Sequence, residues 1–340
     1  MKTITTGVLL AGAAALLTVT NVKAETVMKF SSWAPPTHPQ NSQVFPLWGK
    51  RIEAATQGRV KWKIEYKLAS PPKQFEVSRD GIADASWIFH GYNTRYLATQ
   101  AVEIPGLGGT AETASYATQK AFDSHLHKAN EHRGVAVAAM FSHGDAVIHT
   151  KKQIRSLADL KGMKIRVPGG VGSLVGKQLG VVAVKAPAPK VYEILSSGVA
   201  DGVFMPVEVQ KTFRLKEVVP YVTFMPGGLY YGSFAVLISP AFLDKLSAQD
   251  RKAVLSTTGT SLSRAIGKIW EQGDVVGLAD AKKFGSKIQT AGSAMLSDYK
   301  GITAKVEANW LSKMAKKYKN VDAKAALAEV RAAVASYKYK

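Results

Sequence analysis

Hydrophobic positions along the chain follow two alternating periods. Val60, Trp62, Ile64 and Tyr66 alternate with Lys61, Lys63, Glu65 and Lys67, the period of two expected of a strand with one wet face near a sheet edge. Just before it, Val44, Trp48, Ile52 and Ala55 recur at helical spacing, predicting a helix over roughly Gln40 to Thr56 that stops near Gly58. Pro35, Pro36 and Pro39 separate this helix from a first short strand at Thr26 to Ser32.

The alternation continues downstream. A helix around Lys73 to Ile82 leads into a strand at Ala85 to Phe89, and a helix over Ala111 to Glu131 precedes the apolar strand Val135 to Phe141. Ser156 with Asp159 forms a capping-box pattern for a short helix closed by Gly162, followed by a strand at Lys164 to Val167. Lys190 to Ser197 reads as helix, and Gly202 to Phe204 and Tyr230 to Ile238 as strands. Such α/β order implies sheets covered by helices on their faces. Ser247 with Asp250 opens a helical pattern that continues to about Lys283, long enough to span two domains, and the Ala-rich tail Asp322 to Ser336 is helical by propensity. With no tandem repeat and no low-complexity linker, a second domain is expected to be interleaved with the first.

The first 24 residues stand apart. Lys2 is followed by an apolar run from Gly7 to Thr20 and by Val22-Lys23-Ala24, small residues at the two positions a signal peptidase reads. The run is shorter than the ~20 residues of a bilayer span. The expectation is an exported, periplasmic protein cleaved after Ala24. The chain has no cysteine, which excludes a lipoprotein anchor, disulfides and thiolate chemistry in the expected mature protein.

Charge sets the class of partner. Without Lys2 and Lys23, 43 basic residues face 25 acidic ones. The lysines are scattered, and their densest group, Lys313 to Lys319, contains only Tyr318 as an aromatic and no groove-reading motif. A solvated basic surface that favours small anions is therefore expected over nucleic acid.

Motifs for chemistry fail on spacing. The run Gly169 to Lys177 has Val171 where a phosphate loop needs Gly, and Gln178 where it needs Ser or Thr. It reads as a loop feeding a helix N-terminus, which can hold a carboxylate through its free N–H groups. His125, His127 and His132 do not share one helical face, so no metal site is expected. No HExxH, no Gly-x-Ser-x-Gly elbow and no marked carboxylate pair is present, so no catalytic residue or cofactor is assigned. The competing reading is a secreted α/β hydrolase or lyase using the same cleft.

Arg166 lies in Lys164-Ile-Arg-Val-Pro168, at a strand end just before the Gly-rich turn, where α/β folds place ligand contacts. A guanidinium there can bind a carboxylate through two parallel hydrogen bonds. Leu157-Ala-Asp-Leu-Lys-Gly-Met-Lys-Ile-Arg-Val-Pro168 and Val191-Tyr-Glu-Ile-Leu-Ser-Ser-Gly-Val-Ala-Asp-Gly202 resemble the solute-binding proteins of tripartite ATP-independent periplasmic (TRAP) transporters. Gly58-Arg-Val-Lys61, Arg79-Asp-Gly-Ile-Ala-Asp84 and Ser239 to Ala253 extend the resemblance in the same order along most of the chain.

That resemblance implies a two-lobed α/β binding protein that closes by a hinge on an organic acid anion, with a long helix bracing both lobes. It implies lobe I at 25–145 and 230–268, and lobe II at 146–229 and 269–340 with the C-terminal helices. Arg166 matches the family's carboxylate-clamping arginine, and the expected partners are a small-molecule carboxylate and, transiently, the TRAP membrane permease subunits. Two departures narrow the ligand. Gly144-Asp145-Ala146 stands where many members carry Gly-x-Arg, and Phe204-Met205-Pro206 where they carry Glu-Asn-Pro. These changes disfavour dicarboxylates and sugar acids, and with them the metal-assisted mode of the keto-acid branch. Trp33, Trp87, His90, Tyr92, Phe141, Met205 and Tyr231 fall at predicted strand ends or in the loops after them. Singly each fits core packing; together they suggest a monocarboxylate with an apolar or aromatic body.

Overall fold

A computed structural model describes residues 25–339; the expected signal sequence lies outside the described residues. The strands are β1 (Thr26–Ser32), β2 (Val60–Tyr66), β3 (Ala85–Phe89), β4 (Ala136–Ser142), β5 (Ala146–Thr150), β6 (Lys164–Val167), β7 (Val182–Lys185), β8 (Gly202–Pro206), β9 (Tyr221–Phe224), β10 (Ser233–Ile238) and β11 (Lys287–Thr290). They form two sheets, in the orders β2-β1-β3-β10-β4 and β11-β9-β5-β8-β6-β7.

The alternating strand β2 lies at the edge of the first sheet, parallel to β1. Its Trp62 packs on Phe30 and Trp48, with centroids 5.1 and 5.0 Å away, while Lys63 and Glu65 pair on the outside at 2.7 Å. Strands β3 and β10 are buried along their whole length, as uninterrupted apolar strands inside a covered sheet should be.

The chain passes between the sheets three times. His143, Gly144 and Asp145 join β4 to β5, the segment Met225 to Gly232 returns from β9 to β10, and the helix Thr260–Phe284 leads from the first sheet to β11. This helix braces both parts through its glycines, where side-chain absence allows close backbone approach. A Cβ on Gly267 would lie 2.6 Å from the Ala111 carbonyl, and one on Gly277 would lie 2.5 Å from the Glu208 Cα.

Two sequence expectations change. The long pattern from Ser247 is two helices, Ala248–Ser256 and Thr260–Phe284. Thr257 and Thr258 turn their hydroxyls back onto the Val254 and Leu255 carbonyls at 2.7 Å, and Gly259 takes φ +73°, which ends the first helix and starts the second at a new angle. A further helix, Ser293–Lys317, was not anticipated. Its buried positions Met295, Tyr299, Val306, Trp310 and Met314 do carry helical spacing, but lysines between them mask it. The C-terminal helix Ala323–Ala335, capped by Asp322, packs on Ala111–Ser124.

Candidate ligand cavity between the sheets

The ends of strands from both sheets converge on one cavity. Arg166 enters it from β6, where it sits level with Val203 of β8. Its side chain is 1 % exposed, and its Nε donates to the Ala186 carbonyl at 2.9 Å. The guanidinium also lies against the Tyr92 hydroxyl, which in turn accepts from the Ala188 N–H at 2.8 Å. Burial raises the Tyr92 pKa, and the Arg166 charge pulls it back. Among the described residues no carboxylate comes within ion-pair distance of Arg166. A buried cation without an anion is costly, so this one is set to receive a charge from a ligand.

Rings form the rest of the wall. Trp33, just after β1, stacks on Trp87 at 4.2 Å with planes 14° apart, and Tyr92 meets Trp33 edge-on at 6.2 Å. Phe234 of β10, Trp270 of the long helix, Tyr230, and Met205 with Pro206 of β8 close the other sides. Tyr230 is held by its hydroxyl, which donates to the Phe204 carbonyl at 3.0 Å. His143 faces the cavity as a neutral ring. Its Nδ1 lies 2.6 Å from the Gly144 carbonyl, an acceptor only, so the proton sits on Nδ1. Burial pushes its pKa down to about 4, against the pull of that hydrogen bond and helped by the nearby Arg166 charge. The cavity is narrow, its free space of about 40 Å3 being room for a few waters.

Of the residues singled out from sequence, the structure brings Arg166, Trp33, Tyr92 and Met205 together on the cavity wall. Four others stand back from it. Trp87 lies beneath Trp33, and Phe141 stacks on Phe234 at 5.2 Å. His90 is turned to Ser233 Oγ at 3.1 Å and His132 Nε2 at 2.9 Å. Tyr231 points to the opposite side from Tyr230, its hydroxyl donating to the Gly109 carbonyl, because neighbouring residues of extended chain alternate. Sequence reasoning missed His38, His143, Glu208, Phe213, Tyr230, Phe234 and Trp270. Glu208 and Tyr230 follow or flank positions that were singled out and were within reach of the strand-end rule; Trp270, mid-helix, carried no local signal.

The glycine-rich turn does feed a helix, Gly170–Gln178. Its N-terminus holds a carboxylate, as the free N–H groups permit, but that carboxylate belongs to the chain itself: Glu103 Oε2 accepts from the Val171 N–H at 3.0 Å. The other oxygen takes Ser233, and burial still lifts the Glu103 pKa to about 7. Among the described residues no group of three or more His, Asp or Glu is arranged to hold a metal ion. No described helix is long and apolar enough to cross a membrane.

Two sheets joined by repeated crossings, a bracing helix and a ring-lined cavity around a buried arginine define a two-lobed solute-binding protein. Residues 30–325 match the family described as bacterial extracellular solute-binding protein, family 7, and the chain belongs to that family, the solute receptors of TRAP transporters. It is a transport protein and not an enzyme. A TRAP periplasmic solute-binding protein from Bordetella bronchiseptica, solved with (R)- and (S)-mandelate, is 33% identical with a TM-score of 0.88, covering 91% of this chain and 99% of that one. A marine metagenome TRAP solute-binding protein specific for aromatic acid ligands, solved with metahydroxyphenylacetate, is 29% identical with a TM-score of 0.86, covering 93% and 100%. The outer membrane transporter protein TsaT of Comamonas testosteroni is 28% identical over 280 residues, 81% of this chain and 82% of that protein.

Proposed function

We propose that the protein captures a small monocarboxylate with an aromatic or apolar body in the periplasm, after removal of a signal sequence ending at Ala24, and delivers it to the membrane permease subunits of a TRAP transporter. The observation that carries this reading is the buried Arg166, fixed through Nε and facing a ring-lined cavity with no carboxylate partner among the described residues. Arg166 clamps the ligand carboxylate, and Trp33, Tyr92 and Met205 contact its body. Trp87 and Phe141 support those rings from behind, while His90 and Tyr231 order the surrounding loops. Aromatic acids bound to the Bordetella and metagenome relatives support the same ligand class. The lobes divide at 25–145 with 230–268 and at 146–229 with 269–340, the C-terminal helix lying across onto the first.

A thermal-shift panel tests this. The mature protein is heated with dicarboxylates, sugar acids, keto acids and aromatic monocarboxylates. A ligand at 100 times its Kd adds about 2.7 kcal/mol of stability. Aromatic monocarboxylates should raise Tm and Arg166→Ala should abolish the rise. A response confined to dicarboxylates or sugar acids, or one indifferent to Arg166, would overturn the reading.

A further inference from the structure

A second polar feature lies in the same cavity and is not used by a carboxylate clamp. Glu208, 2 % exposed, lies just beyond β8, and His38 faces it from the loop after β1. Glu208 Oε2 accepts from the Thr212 hydroxyl, and its N–H donates to Asp274 Oδ1 at 3.2 Å, which fixes the side chain's root and one oxygen. Oε1 takes no hydrogen bond from any described residue. His38 Nε2 lies 3.8 Å from it, too far for a direct bond. The His38 tautomer follows from its other nitrogen: Nδ1 accepts from the Gln40 N–H at 3.3 Å, so the neutral ring carries its proton on Nε2. The cavity wall therefore presents an acceptor and a donor side by side, close together but not bonded to each other.

A hydroxyl group is the small neutral function that satisfies both, donating to Glu208 Oε1 while accepting from His38 Nε2–H. Asp274 neighbours this pair, its Oδ1 accepting from the Glu208 N–H. Its carboxyl is pushed well above the usual range, first by burial and then by the Glu208 charge. Arg166, level with Val203 of β8, and Glu208, just beyond the end of that strand, line the same cavity, so one small ligand can meet both.

Resting on the carboxylate reading above, we infer that Glu208 and His38 form a hydroxyl-reading subsite, and that the preferred ligand is a hydroxylated aromatic acid with its hydroxyl remote from the carboxylate. An unsubstituted acid leaves a buried acceptor and donor unmatched, and a hydrogen bond to a charged acceptor is worth roughly tenfold or more in affinity.

Calorimetric titration with matched pairs tests this: benzoate against 3- and 4-hydroxybenzoate, and phenylacetate against its 3- and 4-hydroxy derivatives. In the wild type, at least one hydroxylated member should bind tenfold or more tightly than its parent. Glu208→Gln should bring that ratio to within about threefold, and His38→Phe should reduce it. The ratio within one variant is unaffected by a general loss of fold or activity. Parents binding as tightly as every hydroxylated partner would overturn the subsite, and tighter binding of 4-(aminomethyl)benzoate than of any hydroxy acid would overturn it in favour of an ammonium. Arg166→Ala separates the two levels: if all acids need Arg166 but hydroxyls do not matter, only the subsite fails, whereas indifference to Arg166 sinks the carboxylate reading itself.

Discussion

Trp33 and Trp87 stack with their centroids 4.2 Å apart, and the Trp33 Nε1 donates to the Trp87 carbonyl at 3.1 Å. The buried Trp87 is itself anchored, its Nε1 donating to Ser32 Oγ at 2.8 Å. A chain of contacts from the core of the first sheet thus sets the plane of the ring that lines the cavity. Such preorganisation lowers the entropy lost on binding. Trp33→Ala should weaken binding of aromatic acids by about tenfold, from lost stacking and apolar burial, with a much smaller effect on a short aliphatic acid. Titration calorimetry on both ligand types checks this, and equal losses would remove the ring from the ligand's contacts.

Arg166 sets function against stability. Arg166→Met removes a buried charge with no carboxylate partner and also the bond to Ala186. Replacing even a buried ion pair by apolar side chains is often neutral or stabilising by about 1–4 kcal/mol, a scale that extends to a charge whose desolvation no counter-ion offsets, and one lost hydrogen bond costs about 1 kcal/mol. The ligand-free variant should therefore lie between about 1 kcal/mol less and about 3 kcal/mol more stable than the wild type in urea, while acids no longer raise its Tm. A loss of 3 kcal/mol or more would mean that Arg166 is held by structural pairing.

At Gly169 the backbone segments following β3 and β6 pack directly against each other. Gly169 takes φ +106°, and a Cβ there would lie 1.9 Å from the Gly91 carbonyl oxygen. Backbone cannot yield as a side-chain tip can. Gly169→Ala should destabilise the protein by about 2–3 kcal/mol and weaken ligand binding, since Arg166 is three residues away. Gly162→Ala, with φ +79° but open space around its Cβ position, should cost only about 1 kcal/mol. Urea unfolding of the two variants gives the comparison.

His149 makes stability depend on pH. It is fully buried between the Met205 carbonyl, to which Nε2–H donates at 3.1 Å, and the Gln210 amide, which donates to Nδ1 at 2.8 Å. Both nitrogens are used by the neutral ring, and burial pushes its pKa from the ordinary 6.5 down to about 4. The unfolded chain thus binds more protons between those values. The contribution is complete above pH 6.5 and is lost as pH falls toward 4, about 3 kcal/mol in all at about 1.4 kcal/mol per unit. Glu103, raised to about 7, acts in the opposite sense, favouring the fold less as pH rises from 4.5 to 7. The stability gap between wild type and His149→Gln should therefore shrink between pH 7 and pH 4. A constant gap would show that His149 is not neutral in the folded protein.

Much of the local structure was legible because local periodicity carries it. Strands β1, β2, β3 and β6 follow the expected ranges, as does the capped turn at Ser156 and Asp159, whose side chain takes the Ser156 N–H at 3.0 Å. The short strands β5, β7, β9 and β11 were not read, whereas β3 and β6, equally short, were. In the site, the strand-end rule together with family resemblance reached Arg166, Trp33, Tyr92 and Met205. It did not separate them from Trp87, Phe141, His90 and Tyr231, because it gives the position of a residue along an element and not the side toward which it turns.

The sequence by itself determined many of the segments that become strands and helices, and that an arginine would stand at a strand end in an α/β chain without catalytic motifs. Those features depend on neighbours within a few residues, where sterics, capping and hydrophobic period act. Tertiary structure alone decided that Arg166 has no counter-ion among the described residues, that Glu103 takes the helix N-terminus, and that Glu208 meets His38 across 170 positions of sequence. Charge and hydrogen-bond balance inside a cavity is a sum over groups brought from remote parts of the chain, so it exists only once the sheets have come together.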